Sequence, residues 1–276
     1  MNFLGWMAAL FLLVAGCGST GGDGELIAVS SDRDGDWDIV VVDLDRGVAW
    51  PLSFNRAFDW GPKWSPDGSR LAFASDFVNG EVQEVLLFDE GPTSATSQEI
   101  TGHQGIVVMA ADGSDAERIT NSPSTDSSPS WSPDGTRLAF ASDRGGNLDV
   151  YVMDVDGSNV VQLTDHPGTD WSPSWSPDGT KLAFASERSS NSDVYVMDVD
   201  GSNVVQLTDH PGTDSEPVWS PDGAQLAFAS NRAGPTEVYL MDRYGEGLKR
   251  LGVQGMPSDW LSAGDADYGG FNPKRE

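Results

Sequence analysis

WSPDGTRLAFAS, Trp131 to Ser142, decides the fold. Pro, Asp and Gly at its centre are turn chemistry: Pro fixes φ, Asp tolerates the next corner, and Gly supplies a positive φ. The turn leads into Leu-Ala-Phe-Ala-Ser, an apolar run short enough for a strand. The same pattern recurs. Trp-Ser-Pro-Asp-Gly begins at Trp64, Trp131, Trp175 and Trp219, in steps of 67, 44 and 44 residues, and Leu-Ala-Phe-Ala-Ser follows at Leu71, Leu138, Leu182 and Leu226. A looser copy starts at Leu26, and residues 149–170 and 193–214 are identical, as after a duplication within the gene.

Working outward from Trp131, each unit holds four short strands. Strand A covers residues 128–131, B runs from Leu138 to Ser142, C from Asp149 to Met153, and D from Val160 to Thr164, with Asp156-Gly157 as a hairpin signal between C and D. Strand C alternates, with Val150, Val152 and Asp154 on one face and Tyr151 and Met153 on the other. Four strands repeated every 44 residues predict an all-β fold, a β-propeller of four-stranded blades. The count is five, with six as the alternative. The chain opens on strands B, C and D of a blade, and Met256-Pro257-Ser258-Asp259-Trp260 after the last D strand (Leu248 to Leu251) resembles the start of strand A at Asp170-Trp171. A C-terminal strand there would complete the N-terminal blade and close the ring without an exposed edge. The expected propeller spans residues 25–264, with a disordered tail at 265–276.

Composition narrows the functions. The 276 residues carry 43 Asp+Glu against 16 Lys+Arg, a formal charge of -27, which is hostile to a nucleic-acid backbone. One cysteine and three histidines leave no intramolecular disulfide and little room for zinc. That cysteine, Cys17, follows an apolar stretch from Phe3 to Val14, and Val14-Ala15-Gly16-Cys17 resembles the bacterial lipobox, at which a signal peptide is cut and the thiol lipidated. The expectation is a signal peptide at 1–16, lipidation of Cys17 and a Gly/Ser-rich tether at 17–24, although no Lys or Arg precedes Arg33 to form a positive n-region. An ordinary secretory signal is the other reading.

The repeats also resemble those of a known family. Trp-Ser-Pro-Asp-Gly, Leu-Ala-Phe-Ala-Ser-x-Arg and Asp-Val-Tyr-Val-Met-Asp are similar to the propeller repeat of the TolB family, periplasmic components of the Tol–Pal envelope system. The resemblance covers about residues 26 to 262 and does not extend to the α/β domain that the family carries ahead of its propeller. That family's ring is similar to six blades, against five counted here. What it implies is the fold, a bacterial envelope location facing the periplasm or cell exterior, and a protein or peptide partner.

Successive antiparallel strands put the D–A and B–C loops on one side of the disc. Immediately ahead of each strand A stands an aspartate: Asp59, Asp126, Asp170, Asp214 and Asp259. If strand A is innermost, these carboxylates ring the mouth of the axial channel and favour cations or basic partner side chains. The plainer reading makes them loop caps. Arg33, Arg144, Arg188 and Arg232 lie in the B–C loops on the same face and are candidate interblade ion-pair partners; Phe77 replaces the arginine in blade two, which would leave Asp126 or Asp59 without one. The four repeated tryptophans are expected to wedge between blades, and Pro62, Pro129, Pro173 and Pro217 to tolerate an inner edge with unpaired N–H groups. An insertion at 76–104 lengthens the B–C loop of blade two, with a strand-like stretch from Glu84 to Phe88 and a polar tract from Thr93 to Glu99. It reads as a lid or docking hairpin, or as neutral elaboration.

No catalytic residue is assigned. Glycosidases on five-bladed rings need distinct carboxylates, whereas the repeated positions here are near copies, and no Gly-x-Ser-x-Gly elbow occurs. Asp32-x-Asp34-Gly35-Asp36-x-Asp38 hints at calcium, but its glycine is misplaced for the helix-loop-helix motif. No other cofactor or metal is expected. The resulting expectation is a monomeric, non-enzymatic, envelope-anchored scaffold binding a protein or peptide at the channel face. The alternatives are a carbohydrate- or cation-binding module and a degenerate glycoside hydrolase.

Overall fold

The computed structural model describes residues 26–31, 37–43, 47–53, 57–76 and 103–257. Five antiparallel sheets follow one another along the chain as the blades of a β-propeller. Blade one holds β1 (Leu26–Ser31), β2 (Asp38–Asp43) and β3 (Val48–Pro51). Blade two holds β4 (Asp59–Trp64), β5 (Arg70–Ser75), β6 (Gly105–Ala110) and β7 (Glu117–Arg118), and blade three β8 (Asp126–Trp131), β9 (Arg137–Ser142), β10 (Asp149–Asp154) and β11 (Val161–Gln162). Blade four is β12 (Asp170–Trp175), β13 (Lys181–Ser186), β14 (Asp193–Asp198) and β15 (Val205–Gln206); blade five is β16 (Asp214–Trp219), β17 (Gln225–Ser230), β18 (Glu237–Asp242) and β19 (Lys249–Gln254). Strands B, C and D of blade one are thus in place. The strand expected around Trp260 to complete it lies outside the described residues.

The core is a set of layers between blades. Trp131, Leu138, Phe140, Tyr151 and Met153 of blade three pack on Ala72, Ile106 and Val108 of blade two. The opposite face of blade three, Ala139, Val150 and Val152, receives Trp175, Leu182, Phe184, Tyr195 and Met197 of blade four. Large residues on one face therefore meet small or β-branched ones on the next, which lets the blades wedge together at native density. The alternation in strand C does not separate a wet face from a dry one, because both sides of β10 are buried. Val238 and Leu240 of blade five, which correspond to Val150 and Val152, are only half-buried.

Three local expectations change. Strand A is longer than residues 128–131: it starts at the aspartate and contains a register shift between Ser127 and Ser130, repeated in β4, β12 and β16. Each strand-A proline sits within this bulge, where a residue without an N–H forfeits no ladder bond. Strand D is shorter in blades three and four, because the Thr164 hydroxyl accepts from Val150 N (2.9 Å) and finishes the ladder with a side chain. The last D strand is longer, Lys249–Gln254.

Glycine is required at the C–D hairpins. Gly201 has φ +85°, and a Cβ there would lie 2.6 Å from the Leu163 carbonyl oxygen of the preceding blade. The hairpin packs backbone on backbone, which only hydrogen at that position permits.

Candidate functional site

Asp126, Asp170 and Asp214 are not ahead of strand A but are its first residues, and each is 0% exposed. Arg144 Nη2 donates to Asp126 Oδ1 at 2.9 Å, Arg188 Nη2 to Asp170 Oδ2 at 2.8 Å and Arg232 Nη2 to Asp214 Oδ2 at 2.6 Å. Each pair lies within one blade rather than between blades. The Nε of each arginine donates to the last serine of strand B (Ser142, Ser186, Ser230) at 2.9 Å, and the guanidinium stacks on Phe and Tyr rings of the same sheet, as Arg188 does on Phe184 and Tyr195. Removed from solvent and clamped in this way, these carboxylates do not present an open ring at the channel mouth.

Blade two reaches a similar end by another route. Asp59 is also buried and accepts from the Ser75 hydroxyl. Asp126 has its arginine despite the substitution at position 77. A further arginine enters from strand D: Arg118 donates through Nε to Thr120 O (2.9 Å) and through Nη2 to His103 O (2.5 Å). It lies over Gly105, where a Cβ would come 2.4 Å from its Nε. Burial lowers the pKa of Arg118, while Asp126 and Asp76 oppose that shift. Gly105 stands where the other blades carry Asp149, Asp193 and Glu237, so the missing side chain makes room for the guanidinium.

The Ser-Pro-Asp-Gly aspartates are turn residues. Asp67 accepts from the Ser65 hydroxyl (2.6 Å) and Ser69 N (3.1 Å), and these bonds hold its pKa at about 2. Asp38, the last residue of the calcium-like stretch, begins β2 and accepts from Ser53 Oγ at 3.3 Å, as Asp149 accepts from Thr164. Cys17, Arg33, Phe77, Asp259, residues 32–36 of the same stretch, the segments 84–88 and 93–99 of the insertion and the tail at 265–276 lie outside the described residues. So do the signal at 1–16 and the tether at 17–24.

The open site is the axial cavity, about 310 Å³, walled by strands A. Its shape follows from the bulge. The third residue of each strand A has a left-handed backbone: Gly61 (φ 66°), Ser128 (φ 52°), Ser172 (φ 49°) and Glu216 (φ 50°). For the three that are not glycine this conformation costs about 1–2 kcal/mol each. All four positions line the cavity, as do Lys63, Ser130, Ser174 and Val218 two residues on. Glu216 is thus a carboxylate set into a wall that is otherwise glycine, serine, proline, tryptophan, Val218 and Met256, with Lys63 as its one cation among the described residues. Ser172 Oγ donates to Glu216 Oε1 at 2.8 Å. Burial raises the Glu216 pKa, opposed by the Ser172 bond and, through space, by the positive charge of Lys63. Trp60, 38% exposed, lines the cavity on the side where strands A begin.

Neither Lys63 nor Glu216 was among the candidates drawn from the repeats. Their signal is departure from the repeat: Glu216 stands in a column of Gly and Ser, Lys63 in one of Ser and Val.

Sheet order, bulged inner strands and repeat together define a β-propeller, and its repeats are similar to those of TolB propellers. The model described as TolB beta propeller domain matches residues 161–265, and that of the Tricorn protease N-terminal beta propeller domain matches residues 100–192. The chain is 33% identical over 143 residues to the Protein TolB homolog of Chlorobium luteolum, covering 45% of this chain and 33% of that one. It is 38% identical over 111 residues to the Tol-Pal system protein TolB of Bordetella pertussis, covering 31% and 24% respectively. The chain therefore spans at most about a third of these curated relatives. The solved putative TolB from Agrobacterium tumefaciens superposes with a TM-score of 0.68 at 25% identity, over 90% of this chain and 84% of that one. An oligogalacturonate lyase and a puromycin hydrolase, 15% and 18% identical, share the fold alone.

Proposed function

We propose that this protein is a non-enzymatic, envelope-anchored propeller that binds a protein or peptide partner at the mouth of its axial channel. The observation that carries this reading is the channel wall, where the repeat is abandoned in favour of Glu216 and Lys63 beside the exposed Trp60. The likeness to proteins named for the Tol-Pal system supports an envelope role facing the periplasm, and the lipobox-like Cys17 supports a lipid anchor. Catalysis of glycan cleavage is disfavoured, because glycosidases use a pair of carboxyl groups about 5–9.5 Å apart. Among the described residues lining the cavity, Glu216 is the one carboxylate.

The test places a photo-crosslinking phenylalanine analogue at position 60, on the cavity, or at position 205, on the outer rim, in intact envelopes. A discrete crosslinked protein at 60 and none at 205 is the expected result. Equal labelling at both, or none, would overturn the reading. Cys17→Ser should move the chain from the membrane fraction to the soluble one and abolish incorporation of labelled palmitate.

A further inference from the structure

We infer that the channel takes a single cationic side chain of the partner, a lysine ammonium or an arginine guanidinium, and that Glu216 is the residue that receives it. The inference rests on the channel reading above and names the chemistry of what enters.

The geometry is specific to one blade. At the third position of strand A blades two, three and four carry Gly61, Ser128 and Ser172, all left-handed. A glutamate there accepts the same backbone cost as serine and adds a charge to a confined space. Ser172 satisfies one of its oxygens, Oε1. Among the described residues no donor lies within hydrogen-bond distance of Oε2, whose carboxylate still faces the cavity. Glu216 is half-buried, and an acceptor with spare capacity in a partly desolvated wall is stabilised most by a charge-assisted donor. Desolvation of Glu216 has the same origin: a cation brought to it would replace the lost hydration.

The walls select among cations. Pro173, Pro217 and Trp60 present apolar surface along the cavity, which suits the methylene stem of a lysine or arginine whose head group lies deeper. The exposed Trp60 ring adds a face for cation–π contact. A calcium ion fits poorly, since it takes six to eight oxygens and Glu216 is the one lining carboxylate among the described residues. The positive charge of Lys63 disfavours a dication more than a singly charged side chain. The formal charge of -27 brings basic partners to the molecule, and the channel decides where one of their side chains is held.

The experiment titrates the full chain by calorimetry with the pentapeptide acetyl-Gly-Gly-Arg-Gly-Gly-amide and its citrulline counterpart, which has nearly the same shape without the charge. The arginine peptide should bind at least tenfold more tightly, and Glu216→Gln, an isosteric change, should reduce that preference to under threefold. Equal affinity of the two peptides, no binding of either at millimolar concentration, or a preference that survives Glu216→Gln would overturn the inference. So would calcium chloride displacing the arginine peptide in a Glu216-dependent manner, which would make the site a metal site. Crosslinking at position 60 that persists while the peptides bind alike would sink this inference and leave the channel reading standing. Loss of crosslinking with the arginine preference intact would do the reverse.

Discussion

The interblade layers and the channel wall are cut from the same strands, yet they obey opposite rules. In strand A the sixth residue is Trp64, Trp131, Trp175 and Trp219, each buried against the preceding blade. The third residue of the same strands is Gly, Ser, Ser and Glu, and the fifth Lys, Ser, Ser and Val. The layer is filled from both sides, so a changed volume opens a cavity or a clash. The channel position borders the axial cavity, so its side chain can change without altering the packing between blades. In a repeat ring, sameness reports packing, and departure is where recognition should be sought. The identical stretches 149–170 and 193–214 reinforce this: they cover strands C and D and the D–A loop and stop at the first residue of strand A.

The packing side of the comparison breaks with the largest effect at an ion pair. Arg188→Ala removes the partner of Asp170, which has no exposed side-chain surface. Leaving a carboxylate buried without its cation costs about 3–5 kcal/mol. For a ring of this size that corresponds to a fall in melting temperature on the order of 10 °C, read by scanning calorimetry. Replacing both partners, as Arg188→Met with Asp170→Leu, should recover much of the loss, since two apolar groups leave no uncompensated charge. A single variant no worse than the double one would contradict this account of the buried pairs. Next in size is Gly201→Ala, which forces a Cβ into left-handed backbone and against the Leu163 carbonyl. About 2 kcal/mol is expected from strain of this kind, with the arginine-peptide affinity unchanged.

How much of this was legible follows from the same contrast. The spacing of Trp-Ser-Pro-Asp-Gly placed the blades, the order of strands within them and the turn role of Asp67, Asp134 and Asp178, because each depends on local turn chemistry. The wedge role of the tryptophans was legible from their recurrence. The bulge in strand A was hidden: a register shift leaves only a proline as its trace, and a proline is also compatible with a plain inner edge. Topology placed Asp126 and Arg144 on one face of the disc but could not say that the carboxylate turns into its own blade. That depends on Ser142, Phe140 and Tyr151 assembling around the guanidinium. The Gly105 and Arg118 exchange was visible as two departures from the repeat, yet their connection needs the third dimension. Glu216 and Lys63 stay hidden for a related reason, since recurrence marks packing residues and a position that departs from the repeat once carries no pattern of its own.

On the channel side, Glu216→Gly restores the residue type of blade two. Relief of the left-handed strain and the greater chain entropy of glycine oppose each other, so stability should stay within about 1 kcal/mol of the parent. Crosslinking at position 60 should nevertheless fall sharply. A large stability loss instead would mean that the carboxylate holds the ring together and would erase the distinction between wall and layer.

The smallest effects concern acid titration, and the A–B turns and the channel wall should respond with opposite sign. Hydrogen bonds from Ser65, Ser132 and Ser176, with further bonds from residues 69, 136 and 180, hold Asp67, Asp134 and Asp178 at about 2, below the ordinary 3.8. A carboxyl group depressed on folding contributes stability that is complete above its unfolded value and lost as pH falls from about 4 towards 2. Glu216 is displaced the other way, raised by burial from 4.5. Its ionisation opposes folding, so the penalty is absent below about 4.5, accumulates between that value and the raised folded one, and is constant above it. Glu216→Gln should therefore be the more stable protein at neutral pH, converge with the parent as pH falls to about 4.5, and share its decline below pH 4. Melting temperatures of the two proteins at half-unit steps from pH 7 to pH 3 would show the convergence. Parallel curves across the whole range would mean that the Glu216 carboxylate is as well solvated in the folded ring as in the unfolded chain, and the channel would lose the feature that distinguishes it from the layers around it.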